Sequence, residues 1–358
     1  MAYTNIDDPS AFFQVALYNG TASDNNVITN DGNSDLQPDW LFFKHRTAST
    51  QDWYVVDSSR GSTKGLATNT SAAETTSSSS TKDFQSFNTD GFTVGTPENT
   101  DACNSIGTKA AWQWKCNGGT TSSNTDGSIT STVQVNQDAG FSIVTYTGTG
   151  SISTVGHGLG VQPDVMILKN RDTSIRNWIV YHKDTDASAN YFLRLNTDEA
   201  KSYSGGRFNG THPTSSVFTV GTAGQTNENG DGIVAYCFAE KQGYSKFGTY
   251  VGNAVTNGPF IYTGFKPACI ITKTVNTAED WGIYDYKRVG FNVYNDVLSI
   301  SSQAATYGGA NYNFMDILSN GFKCRRATYG PNQSATYIYM AFAENPFVTS
   351  TGVPTTAR

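Results

Sequence analysis

The chain has 358 residues, a formal net charge of −6 and only 15% charged residues. This scarcity of charge and its negative sign argue against nucleic-acid binding, which requires a basic surface. The sequence contains no run of 18 apolar residues and no basic start followed by an apolar core, so we predict neither a membrane span nor a secretory signal.

The composition predicts an all-β protein. There are 46 threonines but only 10 leucines and 7 glutamates, and threonine suits pleated sheets whereas leucine and glutamate favour helices. The 35 glycines, together with frequent Asn-Gly and Asp-Gly steps, supply the tight turns that such a fold needs.

The first 14 residues, MAYTNIDDPSAFFQ, precede the repetitive part of the chain. We expect this segment to be extended and to anchor the protein to a larger particle. Phe12 and Phe13 are the apolar side chains that it would insert into a docking partner.

A motif then occurs three times along the chain. A proline opens a short apolar run, a lysine follows six residues later, and a tryptophan follows 14 or 15 residues after the proline. The three copies contain Pro38, Lys44 and Trp53; Pro163, Lys169 and Trp178; and Pro267, Lys273 and Trp281. Short strand-like runs with turn signals every 8–12 residues favour sandwiches. We therefore predict three tandem antiparallel β-sandwich domains, jelly-roll or lectin-like, at 15–139, 140–243 and 244–347, followed by a tail at 348–358.

Each predicted domain ends in an aromatic strand. These closing strands contain Trp114, Phe238 and Phe342. We expect the tryptophan of each motif to fill the space between the two sheets of its own domain, near these residues. Residues 116–140 are polar and rich in turns, which predicts a long loop or a linker after the first domain.

The sequence contains no recognisable catalytic motif. The nearest pair of acids is Asp280 and Asp285, and the first copy has Asp52 and Asp57 at the same places. Acids shared by two of three copies fit a strand edge better than a catalytic pair, so we predict no enzyme activity and no cofactor. The NENGDG segment at 227–232 has oxygen ligands spaced as in calcium loops, but a plain turn is favoured and no metal site is predicted.

Candidate ligand-binding residues lie in loops rich in tyrosine, glycine and asparagine. Tyrosine offers a flat apolar surface with a polar end, and such loops contact sugars or proteins in many binding modules. The candidates are Tyr203, Tyr307 and Tyr312, together with His157 in the glycine-rich GHGLG loop. The alternative, that these loops are only solvent-exposed and bind no ligand, stays open. Among five cysteines, Cys103 and Cys116 are the two that could pair.

Part of the chain resembles a known family of repeat domains. The resemblance rests on HGLGVQPDVMILKNRD, VFTVG, NGDGIVAYCFAEKQGYSKFGTYVGN, GPFIYTGFKPACIITK, DILSNGF and YIYMAFAENPF, between residues 141 and 347. Residues 12–115 share only the proline, lysine and aromatic positions. The family, of uncharacterised function, is frequent in virion proteins of marine tailed bacteriophages.

The resemblance implies a structural component of the virion. A tail fibre that adheres to the host cell is the favoured interpretation, a capsid-decorating or knob-like protein is the alternative, and a polysaccharide-degrading tail enzyme is less favoured. The implied partners are other virion proteins and a host surface glycan or protein. We further predict a homo-oligomer, as a trimer held partly by the two termini, because closed symmetry multiplies weak contacts.

Overall fold

Almost all regular structure in the computed structural model, which describes residues 3–309 and 311–355, is antiparallel β-strand. The all-β prediction is therefore confirmed. The helical elements are single turns: a 3-10 turn at Pro9–Ala11, α1 (Gly205–Phe208), α2 (Gly224–Asn227) and α3 (Tyr286–Val289). No helix in these residues is long and apolar enough to serve as a membrane span.

The first repeat contains nine strands. They are β1 (Phe13–Gly20), β2 (Asn26–Ile28), β3 (Trp40–His45), β4 (Tyr54–Asp57), β5 (Lys64–Gly65), β6 (Thr75–Thr76), β7 (Phe84–Phe87), β8 (Phe92–Val94) and β9 (Gly107–Trp114). The main sheet has the order β1-β9-β3-β4, and a smaller sheet has the order β2-β8-β7. β5 and β6 form a separate short pair.

The second repeat contains ten strands. They are β10 (Ser122–Asn124), β11 (Ser131–Asn136), β12 (Phe141–Thr147), β13 (Ser153–Gly156), β14 (Val165–Asn170), β15 (Ile179–His182), β16 (Tyr191–Arg194), β17 (Ser202–Tyr203), β18 (Val217–Val220) and β19 (Gly232–Phe238). Eight of them form the main sheet β10-β11-β12-β19-β14-β15-β16-β17, and β13 pairs with β18.

The third repeat contains nine strands. They are β20 (Ser245–Val251), β21 (Phe260–Tyr262), β22 (Phe265–Thr274), β23 (Gly282–Asp285), β24 (Asp296–Ser299), β25 (Tyr307–Gly308), β26 (Met315–Leu318), β27 (Gly321–Cys324) and β28 (Thr336–Pro346). The main sheet has the order β20-β28-β22-β23-β24-β25, and the smaller sheet has the order β21-β27-β26.

One strand order recurs in all three main sheets. The closing strand lies between the opening strand and the strand with the motif lysine, and the strand after the motif tryptophan comes next. The register recurs too, because Trp114, Phe238 and Phe342 pair with Phe13, Phe141 and Ser245 at the start of the three opening strands. Residues of different repeats can therefore be compared position by position.

A separate apolar core lies between the main sheet and the smaller sheet of each repeat. The opposite faces of the three main sheets share a fourth core, to which all three repeats contribute. Here the ring centroids of Trp114 and Phe342 are 5.4 Å apart, and those of Phe238 and Phe342 are 5.9 Å apart. Each main sheet is thus covered on both faces, which explains why its central strands are continuous apolar runs.

The motif tryptophans belong to the shared core. All three are buried, as expected, but they do not fill the space between the two sheets of their own repeat. Each indole Nε1–H instead donates to a main-chain carbonyl of another repeat: Trp53 to Ser299 at 2.7 Å, Trp178 to Ala67 at 2.8 Å, and Trp281 to Arg194 at 2.8 Å. The expected position is corrected, and the bonds form a closed cycle around the three repeats.

The motif lysines follow the same cycle. Their ammonium groups donate to loop carbonyls of the neighbouring repeat: Lys44 to Gln303 at 2.7 Å, Lys169 to Ser71 at 3.5 Å, and Lys273 to Asp198 at 3.0 Å. All three lysines are buried, and burial lowers the pKa of each to about 8. The repeated motif therefore specifies contacts between repeats.

The expected loop or linker at 116–140 contains strands. β11 pairs with β12 and β10 pairs with β11, so residues 122–136 extend the main sheet of the second repeat. The predicted boundary at residue 140 thus falls between two strands that pair in one sheet. Buried Asp39 fixes the start of this segment, because its carboxylate accepts hydrogen bonds from the amides of Cys116, Gly118 and Gly119.

The N-terminal segment lies against the chain itself. Phe13 is buried in the shared core, and the half-buried Phe12 packs with its ring centroid 5.7 Å from that of Tyr244. Upstream, Tyr3 Oη donates to the carbonyl of Gly264 at 2.8 Å. The expected insertion of Phe12 and Phe13 into a docking partner is therefore corrected, because both rings already pack against this chain. The tail contacts the same segment through Ser350 and Asp7.

Candidate functional site

A cavity of about 230 Å³ opens on the third repeat, between its main sheet and loop residues 279–280, 304–305 and 329–330. Five of the fourteen lining residues are aromatic, and two are acids. The aromatic residues are Tyr284, Tyr307, Phe314, Tyr329 and Tyr337, and the acids are Glu279 and Asp280. We call this feature the tyrosine cavity.

Gly282 lines this cavity and has no side chain to extend into it. Gly282 is the first residue after the motif tryptophan, and the same position holds Tyr54 in the first repeat and Ile179 in the second. Both of those side chains are buried in the core between the two sheets of their repeat. A Cβ atom at Gly282 would lie 2.9 Å from Tyr284 Oη. In the third repeat the ring of Tyr284 therefore takes the place of this side chain, and the cavity lies beside it.

One rim of the cavity is a cluster of tyrosines around an arginine. The ring centroids of Tyr307 and Tyr312 are 4.7 Å apart, and those of Tyr307 and Tyr329 are 5.8 Å apart. The Arg326 guanidinium carbon lies 4.7 Å from the Tyr312 ring centroid and 4.2 Å from that of Tyr329. Such cation–π contacts hold the rings in place without a buried ion pair.

Hydrogen bonding distinguishes the hydroxyls of this cluster. The Tyr307 hydroxyl is hydrogen-bonded to that of Tyr329. Hydrogen bonds with Tyr312 and Tyr329 raise the pKa of Tyr307. The bond with Tyr307 lowers the pKa of Tyr312. Tyr307 is 45% exposed, so part of its surface is available for contact with a ligand.

The two carboxylates at the cavity have definite orientations. Glu279 Oε1 accepts a hydrogen bond from the amide of Gly330 at 3.2 Å, and its Oε2 accepts one from the Gln333 side chain. Asp280 Oδ1 accepts from the Ser301 hydroxyl at 2.8 Å. Each carboxylate oxygen can accept more than one hydrogen bond, so both groups can still receive hydroxyl donors from a ligand.

The predicted ligand-binding residues fall into two groups. Tyr307 and Tyr312 lie in the tyrosine cluster, whereas Tyr203 belongs to the second repeat. Tyr203 is 68% exposed and packs against Tyr191, with 5.4 Å between ring centroids. His157 is buried, its Nε2 lies 3.2 Å from the carbonyl of Thr214, and burial lowers its pKa. His157 therefore has a structural position, and its expected role in ligand binding is corrected.

The acids considered for catalysis do not converge. Asp280 is exposed at the tyrosine cavity, but Asp285 is fully buried in an ion pair with Arg288 and caps α3. In the first repeat, Asp57 is buried against Arg60 and accepts a hydrogen bond from Tyr236 of the second repeat at 2.7 Å. Asp57 and Asp285 are therefore engaged in buried ion pairs that hold the structure together.

The other candidate centres are occupied by internal contacts. Buried Asn227, in the NENGDG segment, donates to the carbonyls of Ser151 and Gly221. Among the described residues, no group of three acid, histidine or cysteine side chains is placed to hold a metal ion. Cys103 and Cys116 are buried free thiols, as are the other three cysteines.

Sequence reasoning missed Gly282, Glu279, Arg326 and Tyr329. A signal existed for Gly282, because aligning the three copies shows glycine where the others have large side chains. Glu279 comes from the loop before β23, Arg326 and Tyr329 come from the loop between β27 and β28, and no local pattern identifies them.

A comparison with family models finds one match. It covers residues 8–346, and so all three repeats together, and its description is a domain of unknown function (DUF7483). No curated protein matches the chain. No solved structure matches it either.

Proposed function

The chain belongs to the DUF7483 family, and we propose that this member binds carbohydrate at a cell surface as an exposed component of a bacteriophage virion. The tyrosine cavity is the observation on which the binding proposal rests. A tail fibre is the form of virion component that best fits an adhesive role.

The cavity combines the two kinds of contact that a sugar ring needs. The exposed face of Tyr307 can stack on the apolar C–H face of a sugar, because aromatic rings bury large areas at little cost in side-chain entropy. Glu279 and Asp280 can accept sugar hydroxyls, and hydrogen bonds to a charged acceptor are about twice as strong as neutral ones. Pockets with aromatic walls and a few oriented polar groups are the usual form of small-ligand sites.

The virion assignment rests on the family resemblance of residues 141–347 and on the threonine- and glycine-rich composition. The same features fit a capsid-decorating protein. Carbohydrate binding favours the fibre, because contact with the host is the task of a fibre.

Binding without hydrolysis is proposed for this cavity. A glycosidase requires two carboxyl groups facing each other across the scissile bond. Asp285 does not reach the cavity, and Glu279 is held by Gly330 and Gln333, where it serves as an oriented acceptor.

The test is a glycan-array screen of the full-length protein, followed by calorimetry with the strongest oligosaccharide. We expect Gly282→Ile, which introduces the residue of the second repeat, to abolish binding by displacing Tyr284 into the cavity, and thermal unfolding checks that this variant is folded. Tyr307→Ala should weaken binding about fivefold or more, since loss of one stacking contact costs at least about 1 kcal/mol. Tyr203→Ala, an exposed tyrosine outside the cavity, is the matched control.

Three results would contradict this proposal. Binding that survives Gly282→Ile and Tyr307→Ala but is lost in Tyr203→Ala would move the site to the second repeat. Release of reducing ends from the bound glycan would identify an enzyme. Immunogold labelling of intact particles with an antibody to this protein tests the virion assignment, and absence of labelled particles would reject it.

A further inference from the structure

A second cavity, of about 370 Å³, lies between the first and third repeats. One wall is the beginning of β1, at Phe13, Gln14 and Val15. The opposite wall includes Tyr286 and Lys287 of α3 and the end of β28. We call it the strand slot, because an unpaired strand edge forms one side.

The main chain of β1 has free hydrogen-bonding groups toward this slot. The carbonyl of Phe12 accepts a hydrogen bond from Lys115, which follows β9, so the main-chain groups of residue 12 point toward the β9 side. In an antiparallel pair the direction alternates along the strand, so Phe13 and Val15 point away from β9. Within residues 3–309 and 311–355, neither has a main-chain hydrogen bond beyond the β1–β9 ladder. Such an edge is a template for another strand.

The second repeat shows what fills the equivalent position. Val15 of β1 corresponds to Ile143 of β12, since each lies two residues after the phenylalanine paired with the closing aromatic. Ile143 pairs with Gln134 of β11. Gln134 is fully buried, and its side chain donates to Ser58 and Ser59 of the first repeat at 2.9 and 2.8 Å.

The surroundings of Gln134 correspond to those of the slot. Ser58 and Ser59 directly follow β4, and Tyr286 and Lys287 directly follow β23. The two pairs of residues therefore occupy equivalent positions in the first and third repeats. At the interface of the first and second repeats, a strand therefore fills the gap between an opening strand and this turn. At the interface of the third and first repeats, the same gap is the cavity.

The remaining interface is closed by side chains. In the third repeat the corresponding position of the opening strand is Phe247, and its amide lies 3.4 Å from a carboxylate oxygen of Glu240. Lys183 and Lys246 form ion pairs with the same carboxylate, at 3.6 and 2.9 Å. Of the three equivalent positions, two are thus occupied and the strand slot alone is open.

We propose that the strand slot binds a short extended peptide segment of a partner protein by strand addition to β1. Residues 13–15 of β1 are equivalent to residues 141–143 of β12. Residues 141–143 pair with Asn136, Val135 and Gln134 of β11. Main-chain hydrogen bonds supply affinity in such complexes, and side-chain pockets supply specificity. Because the bound peptide would take the place that β11 has in the second repeat, we expect it to carry an amide side chain at the position of Gln134, directed toward Tyr286 and Lys287.

The dimensions favour a flexible segment over the edge of a folded sheet. The loop at 31–33 lines the cavity beside β1, and Asp31 forms an ion pair with Lys287 of the opposite wall. An extended peptide would have to displace only this exposed ion pair, whereas a second folded copy would have to displace the walls themselves. The slot thus fits a terminal or linker segment of a neighbouring protein.

The experiment uses the full-length protein and a synthetic peptide of residues 132–137, TVQVNQ, with blocked ends. We expect one peptide to bind per chain in calorimetry and the amide of Val15 to exchange at least tenfold more slowly when the peptide is present. A peptide with proline in place of its glutamine is the matched control and should not bind, because it lacks a main-chain donor.

Two variants locate the binding. Val15→Pro removes the outward N–H while the β9 ladder keeps its bonds, as proline permits at an edge strand. Ala268→Phe fills the slot and leaves the sequence of β1 unchanged, so it keeps the test decisive if the proline variant fails to fold. Each variant should weaken peptide binding at least tenfold.

Three results would overturn the proposal: no binding to the wild-type protein, binding unchanged in both variants, or protection of amides other than Val15 and its neighbours. Sedimentation without peptide provides the remaining arm. A dimer that dissociates in Val15→Pro would assign the slot to a second copy of the chain and reject a separate partner.

Discussion

Replacing Trp178 by alanine should destabilise the whole chain, because this side chain lies in the core that all three repeats share. It is fully buried and its indole N–H donates to the carbonyl of Ala67 in the first repeat. Removing a buried tryptophan costs about 3–5 kcal/mol, and leaving its hydrogen-bond acceptor without a partner adds about 1 kcal/mol. We therefore expect a loss of about 4–6 kcal/mol in the free energy of unfolding.

Urea unfolding measures this loss, and hydrogen exchange followed by mass spectrometry shows where it falls. Amides of β9 and β28 should lose protection together with those of β19, since the closing strands meet in the shared core. Trp178→Phe, which keeps an aromatic ring and removes the donor, should cost about 1–2 kcal/mol. Exposed Tyr203→Ala serves as the control and should change nothing. Loss of protection confined to the second repeat would refute a shared core and indicate three independent domains.

The remaining predictions concern buried charge and thiols. The pKa of Lys169 is about 8 in the folded chain against 10.5 as the ordinary value, so the unfolded chain binds more protons between pH 8 and 10.5 and stability should rise with pH across that window. Lys169→Met should make the free energy of unfolding increase less steeply with pH and should raise it at pH 7, as measured by urea unfolding at each pH. A steeper increase with pH in this variant would contradict the prediction. Asp285→Ala should cost about 3–5 kcal/mol, because the guanidinium of Arg288 loses its buried partner, and thermal unfolding as stable as wild type would reject the ion pair. The five thiols should be inert to a thiol reagent in the folded protein and react together on unfolding, since all are buried; fast labelling of any one would show local opening.

The amino-acid sequence by itself determined the β class and the positions that are buried. Threonine, β-branched and aromatic residues favour pleated sheets, and runs such as VMILK at 165–169 are apolar on both faces. The recurrence of proline, lysine and tryptophan also marked the equivalent strands. These signals are local, because each depends on residues that are neighbours in the chain.

Only the tertiary structure decided what those buried positions contact. A fully apolar strand predicts cover on both faces but does not say which element supplies it. The sequence predicted that Trp178 would pack within its own repeat, and the structure directs its indole to Ala67. The buried ammonium of Lys169 likewise finds its carbonyl partner in Ser71, about a hundred residues away in the chain.

The two cavities show the same limit. The tyrosine cavity needs Gly282 on a strand and Tyr329 and Glu279 from distant loops, so its parts share no spacing in the sequence. The strand slot exists because β11 has no counterpart beside β1, and the polar stretch at 116–140 gave no sign that it would pair with a sheet. Which edge a strand covers is set by contacts between repeats, and a periodic pattern in one segment carries no information about them.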